Sequence, residues 1–223
     1  MLREEQARSM LAMQAAMNRH IDPDWVSAAY PYLRAVVIEA AEAMEHHGWK
    51  WWKHQRCDLP QLQMEVIDIW HFLMSRLLLD HHGDEEAALT ELMKEAAIDP
   101  GTVILRFDGH DYTPASLPLL DKLQLLSATA AADRTEIPLF AALLEDCGMD
   151  WSELFRQYTG KNVLNGFRQD HGYKEGHYRK TWQGREDNEH LVELMDSLDA
   201  APATFRDELY KALESRYEAA DNR

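Results

Sequence analysis

Two acidic pairs have the residue type and spacing to do chemistry. Glu39-Ala-Ala-Glu42 and Glu65-Val-Ile-Asp68 each set carboxylates three residues apart, so on a helix each pair points to one side. Two such helices packed antiparallel make four carboxylates converge. Clustered like charges repel, and the cluster favours bound cations. All-oxygen ligation suits magnesium, with manganese as a substitute. The plain alternative is two solvated helix faces, since Glu42 and Glu45 repeat the spacing. Phe72 argues for a site. It shares the face of Glu65 and Asp68, offset from a leucine stripe, and a ring there can stack on a nucleobase for roughly 1–3 kcal/mol.

A basic island provides the complementary chemistry. From Lys161 to Arg185 there are six basic residues and two acidic ones, in a chain of net charge −16. Lys161, Asn165 and Arg168 fall on one helix face. They can grip a phosphate chain, with Tyr173 and Lys180 closing from the following loop. Gly166, Gly172, Gly176 and Gly184 are interleaved and would let backbone approach a ligand. Trp49, Trp51 and Trp52, beside Lys50 and Lys53, form a third feature. Packing onto the helices accounts for any one of them, and a base contact is the added role for the set. No Walker A loop or dinucleotide glycine fingerprint is present, so metals would handle the phosphates.

The elements that must position these residues are helical. Apolar periodicity predicts helices over Tyr32 to about His47, Pro60 to about Asp80, Glu85–Ala97, Leu117–Ala132, Ile137–Cys147, Asp150 to about Arg168, Asn188–Leu198 and Pro202–Ala219. Leu59, Leu62, Val66, Ile69, Leu73 and Leu77 recur at helical spacing. In the first segment Leu11, Gln14 and Asn18 share one face, while Met10, Met13 and Met17 form a stripe read as core filler. Thr102–Phe107 is a short strand or irregular. The prolines and glycines between 84 and 150 mark an inserted helical subdomain or lid within one domain spanning 1–223. The expected fold class is all-α, a helical bundle core with that mobile insert.

Charge and composition exclude other classes. The net charge of −16 repels duplex nucleic acid and anionic membranes. No run approaches the roughly 20 apolar residues that span a bilayer, and the charged first residues lack a secretory signal. Cys57 and Cys147 read as reduced cytosolic thiols, so a cytoplasmic location is expected.

The chain resembles the dimeric dUTPases of the all-alpha NTP pyrophosphatase superfamily. Glu39, Glu42, Glu65 and Asp68 carry the superfamily mark. A sharper one is the run Gly160-Lys161-Asn162, Leu164-Asn165, Phe167-Arg168-Gln169-Asp170, Gly172-Tyr173, Gly176, Tyr178, Lys180, Trp182, Gly184 and Glu186-Asp187-Asn188. Leu11, Gln14, Asn18 and Trp25 match the family's opening helix. The resemblance implies a homodimer that hydrolyses dUTP, and usually dUDP, to dUMP, limiting uracil in DNA and supplying thymidylate synthesis. It implies two or more magnesium ions on Glu39, Glu42, Glu65 and Asp68, with Glu39 activating the attacking water. Gln14 would read the uracil edge, and Asn18, Trp52, Phe72 and Asn165 would contact the nucleoside. Lys161, Arg168, Tyr173 and Lys180 would surround the phosphates, and the insert would close over the site. Three readings compete: a pyrophosphohydrolase for another pyrimidine nucleotide such as dCTP, a non-enzymatic acidic interaction protein, and a di-iron protein built on Asp68-Ile-Trp-His71.

Overall fold

The computed structural model describes residues 1–198 and 204–219. Helices α1 (Glu4–Ile21), α2 (Trp25–Ala28), α3 (Tyr32–His47) and α4 (Leu59–Asp80) come first, followed by α5 (Glu85–Ala96) and a hairpin of β1 (Leu105–Phe107) and β2 (His110–Tyr112). Then come α6 (Leu119–Ala131), α7 (Ile137–Asp146), α8 (Trp151–Asp170), a second hairpin of β3 (Thr181–Trp182) and β4 (Arg185–Glu186), α9 (Asp187–Ser197) and α10 (Phe205–Ala219). The architecture is all-α with two minute antiparallel ribbons. The predicted helices are present with ends shifted by a few residues. The predicted start of the last one, Pro202, lies outside the described residues. Neither α2 nor the second hairpin was legible: each is too short for a periodic signal.

Local chemistry sets several helix starts. Asp58, Asp84 and Asp150 cap α4, α5 and α8 by accepting from backbone N–H groups in the first turn, which satisfies donors that the helix leaves unpaired. Pro60 sits in the first turn of α4, where a missing N–H costs nothing.

The stripe of α4 does what its spacing requires. Leu62, Val66, Ile69, Leu73 and Leu77 are buried, but Leu59 at the helix start is exposed. Trp70, fully buried, stacks on Phe140 of α7 at 4.8 Å between ring centroids and meets Trp151 of α8 edge-on at 5.4 Å. One core joins α1, α3, α4 and the 84–150 segment: Leu11 and Val36 share it with Leu89, Leu92, Leu123 and Phe140. A second, aromatic cluster lies on the other end of α8. There Phe167 is ringed by Tyr178, Trp182, Tyr210 and Tyr217.

Three expectations need correction. Trp49, Trp51 and Trp52 are not core: they are exposed and pack mainly edge-on against one another, at 4.5–6.4 Å. A tight loop of consecutive bulky rings cannot turn all of them inward. Met10 and Met13 are buried, whereas Met17 lines a cavity. The glycines shape turns and packing and line neither cavity described below. Gly172, Gly176 and Gly184 have φ between 75° and 80°, conformations that a side chain resists. A Cβ on Gly160 would lie 2.2 Å from Met195 Sδ, so that glycine lets α9 approach α8.

Candidate active site

Helices α3 and α4 bring the acidic pairs together in antiparallel register, with Glu39 meeting Glu65 and Asp68. Glu39, Glu42 and Glu65 place carboxylate oxygens within 4.8 Å of one another. Burial raises the Glu39 carboxyl, and repulsion from Asp68 and Glu65 adds to it, taking its pKa to about 8. Burial and then Asp68 raise Glu65 to about 7. Among the described residues no lysine or arginine forms an ion pair with these three; the imidazole Nε2 of His46 lies 3.5 Å from Glu65, and the charge of Lys161 reaches Glu65 only at longer range. Oxygen donors that repel one another and lack a counter-ion fit a hard divalent cation.

Asp68 differs from the three in having a partner of its own. Its Oδ2 is 2.8 Å from Lys161 Nζ, and the lysine is buried. The predicted four-carboxylate convergence is therefore a trio plus a carboxylate held by an internal cation. That cation is one of the residues expected at the phosphates, now tethered from beneath.

Two cavities meet here. One, of about 410 Å³, is lined by Gln14, Asn18, His71, Phe72, Ser75 and Asn165 among others. The other, of about 560 Å³, is polar and is lined by Glu42, Glu65, Lys161, Lys180, His46 and Asn188 among others. Glu39, Asp68, Arg168 and Tyr173 line both. Of the residues that the resemblance assigns to metal, phosphate or nucleoside, Trp52 alone lines neither, and no residue of 84–150 does.

The first cavity has a buried polar floor. Gln14 Oε1 accepts from Tyr158 Oη at 2.8 Å and from His71 Nδ1 at 2.8 Å. Gln14 Nε2 donates to Ser75 Oγ at 2.8 Å and Asn18 Oδ1 at 3.0 Å. All four hydrogen-bonding positions of that amide are thereby used. Burial lowers the His71 pKa to about 3, so the ring is neutral, its Nδ1 proton goes to Gln14, and Nε2 is a bare acceptor. Asn18 Nδ2 and His71 Nε2 are buried and unpartnered. His71 engages Gln14 and not the carboxylates, which removes the carboxylate-x-x-His set of the di-iron reading.

On the basic wall Arg168 forms a two-pronged pair with Asp187 and reaches Asn165 Oδ1 at 3.2 Å. Its guanidinium lies 5.9 Å from the Tyr173 ring. Lys180 is exposed, 3.5 Å from Glu186. Ser75, Tyr158 and His46 carry no signal in the sequence, while His71 stands out there only in the di-iron reading and Asp187 and Asn188 only in the run that carries the resemblance, without a role. His71 lies one turn after Asp68 and His46 one turn after Glu42, but position on a helix does not say which histidine finds a buried partner.

No helix of the described residues is long and apolar enough to cross a membrane. No curated protein matches the chain. The family model described as dUTPase matches residues 6–173, a span that holds the acidic trio, Asp68, the floor of the first cavity, Lys161, Arg168 and Tyr173. The chain belongs to the dimeric dUTPase family.

Proposed function

We propose that the protein hydrolyses dUTP to dUMP and pyrophosphate, and dUDP to dUMP and phosphate, with magnesium. One observation carries this reading: an open cavity with room for a nucleoside and a buried polar floor shares its wall with the carboxylates that lack an ion-pair partner. Glu39, Glu42, Glu65 and Asp68 are the proposed ligands of two or more magnesium or manganese ions. What those ions supply when bound is Lewis-acid polarisation of the phosphate chain.

The side chains have distinct tasks. Glu39, held in a desolvated position, orients the attacking water and accepts its proton. Lys161, Arg168, Tyr173 and Lys180 orient the phosphates and stabilise charge developing on them. Phe72 flanks the base, and Asn165 sits between the base and phosphate ends. Asn18 Nδ2 donates to uracil O4, while His71 Nε2 accepts the N3 proton. Gln14 acts one step back from its expected role, fixing the histidine tautomer. Cytosine presents a lone pair at N3 and an amino group beside it, and both clash with this pattern. A site built on such pairs rejects the wrong pattern by about 10⁴-fold.

Trp52 reaches a bound base only through movement of its loop or from a second copy of the chain. The homodimer, the lid role of 84–150 and a cytoplasmic role in keeping uracil out of DNA belong to the same proposal. Light scattering tests the dimer, and hydrogen exchange with and without nucleotide tests the lid. The deciding experiment incubates the protein with magnesium and each dNTP, dUTP and dUDP, and resolves the products. Selective formation of dUMP is expected. Preferential cleavage of dCTP would overturn the base assignment, and a folded sample that cleaves nothing would overturn the enzyme reading.

A further inference from the structure

The matched span ends at Tyr173, yet the site's cations are held by residues beyond it. Asp187 opens α9, and its side chain has no exposed surface. Its oxygens accept from Arg168 Nε at 2.8 Å and Nη2 at 2.8 Å, and Tyr178 Oη donates to the same carboxylate at 2.8 Å. The next residue continues the arrangement: Asn188 Oδ1 accepts from Lys161 Nζ at 2.9 Å and Arg168 Nη2 at 3.3 Å. Two consecutive residues thus grip the two most buried cations of the site. Asn188 lines the polar cavity and Asp187 lines neither cavity, so Asp187 acts through Arg168.

This arrangement needs a reason in so acidic a site. An arginine facing both cavities beside Asp68 and Glu39 is drawn toward those carboxylates. A buried two-pronged pair fixes the guanidinium plane and holds it away from them. Burial alone would raise the Asp187 carboxyl, but hydrogen bonds and charge from Arg168 more than offset it, and its pKa lies below the ordinary value. Helix α9 sits close enough to do this because Gly160 leaves room for Met195.

We propose that Asp187 is a positioning residue of the hydrolysis site, fixing Arg168 between the base and phosphate cavities, with Asn188 steadying Lys161 in the same way. The proposal rests on the nucleotide-hydrolase reading. Asp187→Asn keeps the volume and one acceptor but loses the charge and the second prong. We expect kcat/KM for dUTP to fall about 100-fold, the scale set by small losses of alignment. Binding of dUMP should weaken at least tenfold, while deoxyuridine, which has no phosphate, should bind within threefold of the wild type. Tyr178→Phe removes one bond to Asp187 and keeps the ion pair, so a loss of several-fold in kcat/KM is expected with the fold retained.

The overturning result is a lowered melting temperature with kcat, KM and the dUMP-to-deoxyuridine ratio unchanged, which is the signature of a structural brace. If Asp187→Asn does not fold, unchanged kinetics in Tyr178→Phe overturn the proposal. If the wild type itself fails to cleave dUTP, the hydrolase reading has failed, and magnesium-dependent binding of inorganic pyrophosphate decides this one separately. At least tenfold weaker binding by Asp187→Asn supports the proposal, and equal binding overturns it.

Discussion

On the wall formed by α8 and α9, Arg168 is paired with Asp187, and Lys161 is paired with Asp68 and Asn188. Across the cavity, on α3 and α4, Glu39, Glu42 and Glu65 crowd within 4.8 Å without a lysine or arginine partner among the described residues. Both walls are made of charged side chains on helices, and both are partly buried. They differ in whether the protein itself completes the electrostatics. A compensated wall is rigid and ready to orient a ligand. A wall without internal partners is held in place by the surrounding core, here by Trp70, Phe140 and the stripe of α4, and its carboxyl pKa values rise. The lesson is to look for a missing ligand where repulsion is left standing in a fold that pairs its charges elsewhere.

That contrast can be broken by substitution. The largest effect is expected for Glu39→Gln, which should lower dUTP turnover about 10³-fold with the fold intact. Turnover within tenfold of the wild type would remove Glu39 as the proton acceptor. Stability should respond oppositely on the two walls. Arg168→Ala leaves Asp187 buried and unpaired, at a cost of about 3–5 kcal/mol in urea unfolding, whereas Glu42→Gln in chelator should raise the melting temperature by relieving repulsion. A fall in both variants would erase the distinction. Magnesium at a hundred times its dissociation constant should stabilise the wild type by about 2.7 kcal/mol, and Glu39→Gln with Glu65→Gln should lose most of that gain. Equal gains would place the cation elsewhere.

Acidity sharpens the comparison further. Glu39 and Glu65 have pKa values of about 8 and about 7 in the fold, above the 4.5 of an ordinary glutamate. Between these limits the folded state binds more protons than the unfolded, so their contribution is present at low pH and is lost as pH rises toward 8. His71, at about 3 against 6.5, acts in the opposite sense and is complete by pH 6.5. Without metal, unfolding free energy should therefore decline from pH 6.5 to 8, and magnesium should flatten that slope. A rise over this window in chelator would contradict the carboxylate assignment. The smallest effect is expected at the exposed aromatic loop: Trp51→Ala should change stability by less than about 0.5 kcal/mol, measured by urea unfolding.

Much of the scaffold was legible because it rests on local periodicity. The stripe from Leu62 to Leu77 gave α4, and the i, i+3 spacing of Glu39 with Glu42 and of Glu65 with Asp68 gave two acidic pairs. The Trp loop was misread because exposure depends on whether neighbouring helices leave a place for a ring. Gln14 was legible as a polar residue of the first helix, but nothing local shows what engages its amide. Tyr158 and His71, which occupy it, are 144 and 57 residues away in the chain.

The sequence by itself determined the helical class, the two charge clusters and the family, because residue type and i, i+3 or i, i+4 spacing act within one element. Tertiary structure decided which charges are compensated. Asp68 is tied to Lys161 across α4 and α8, and Arg168 is tied to Asp187 on a helix that begins beyond the hairpin of β3 and β4. Such pairings depend on distance and burial between elements far apart in the chain, and burial raises the pKa of a carboxylate that would be ordinary in water.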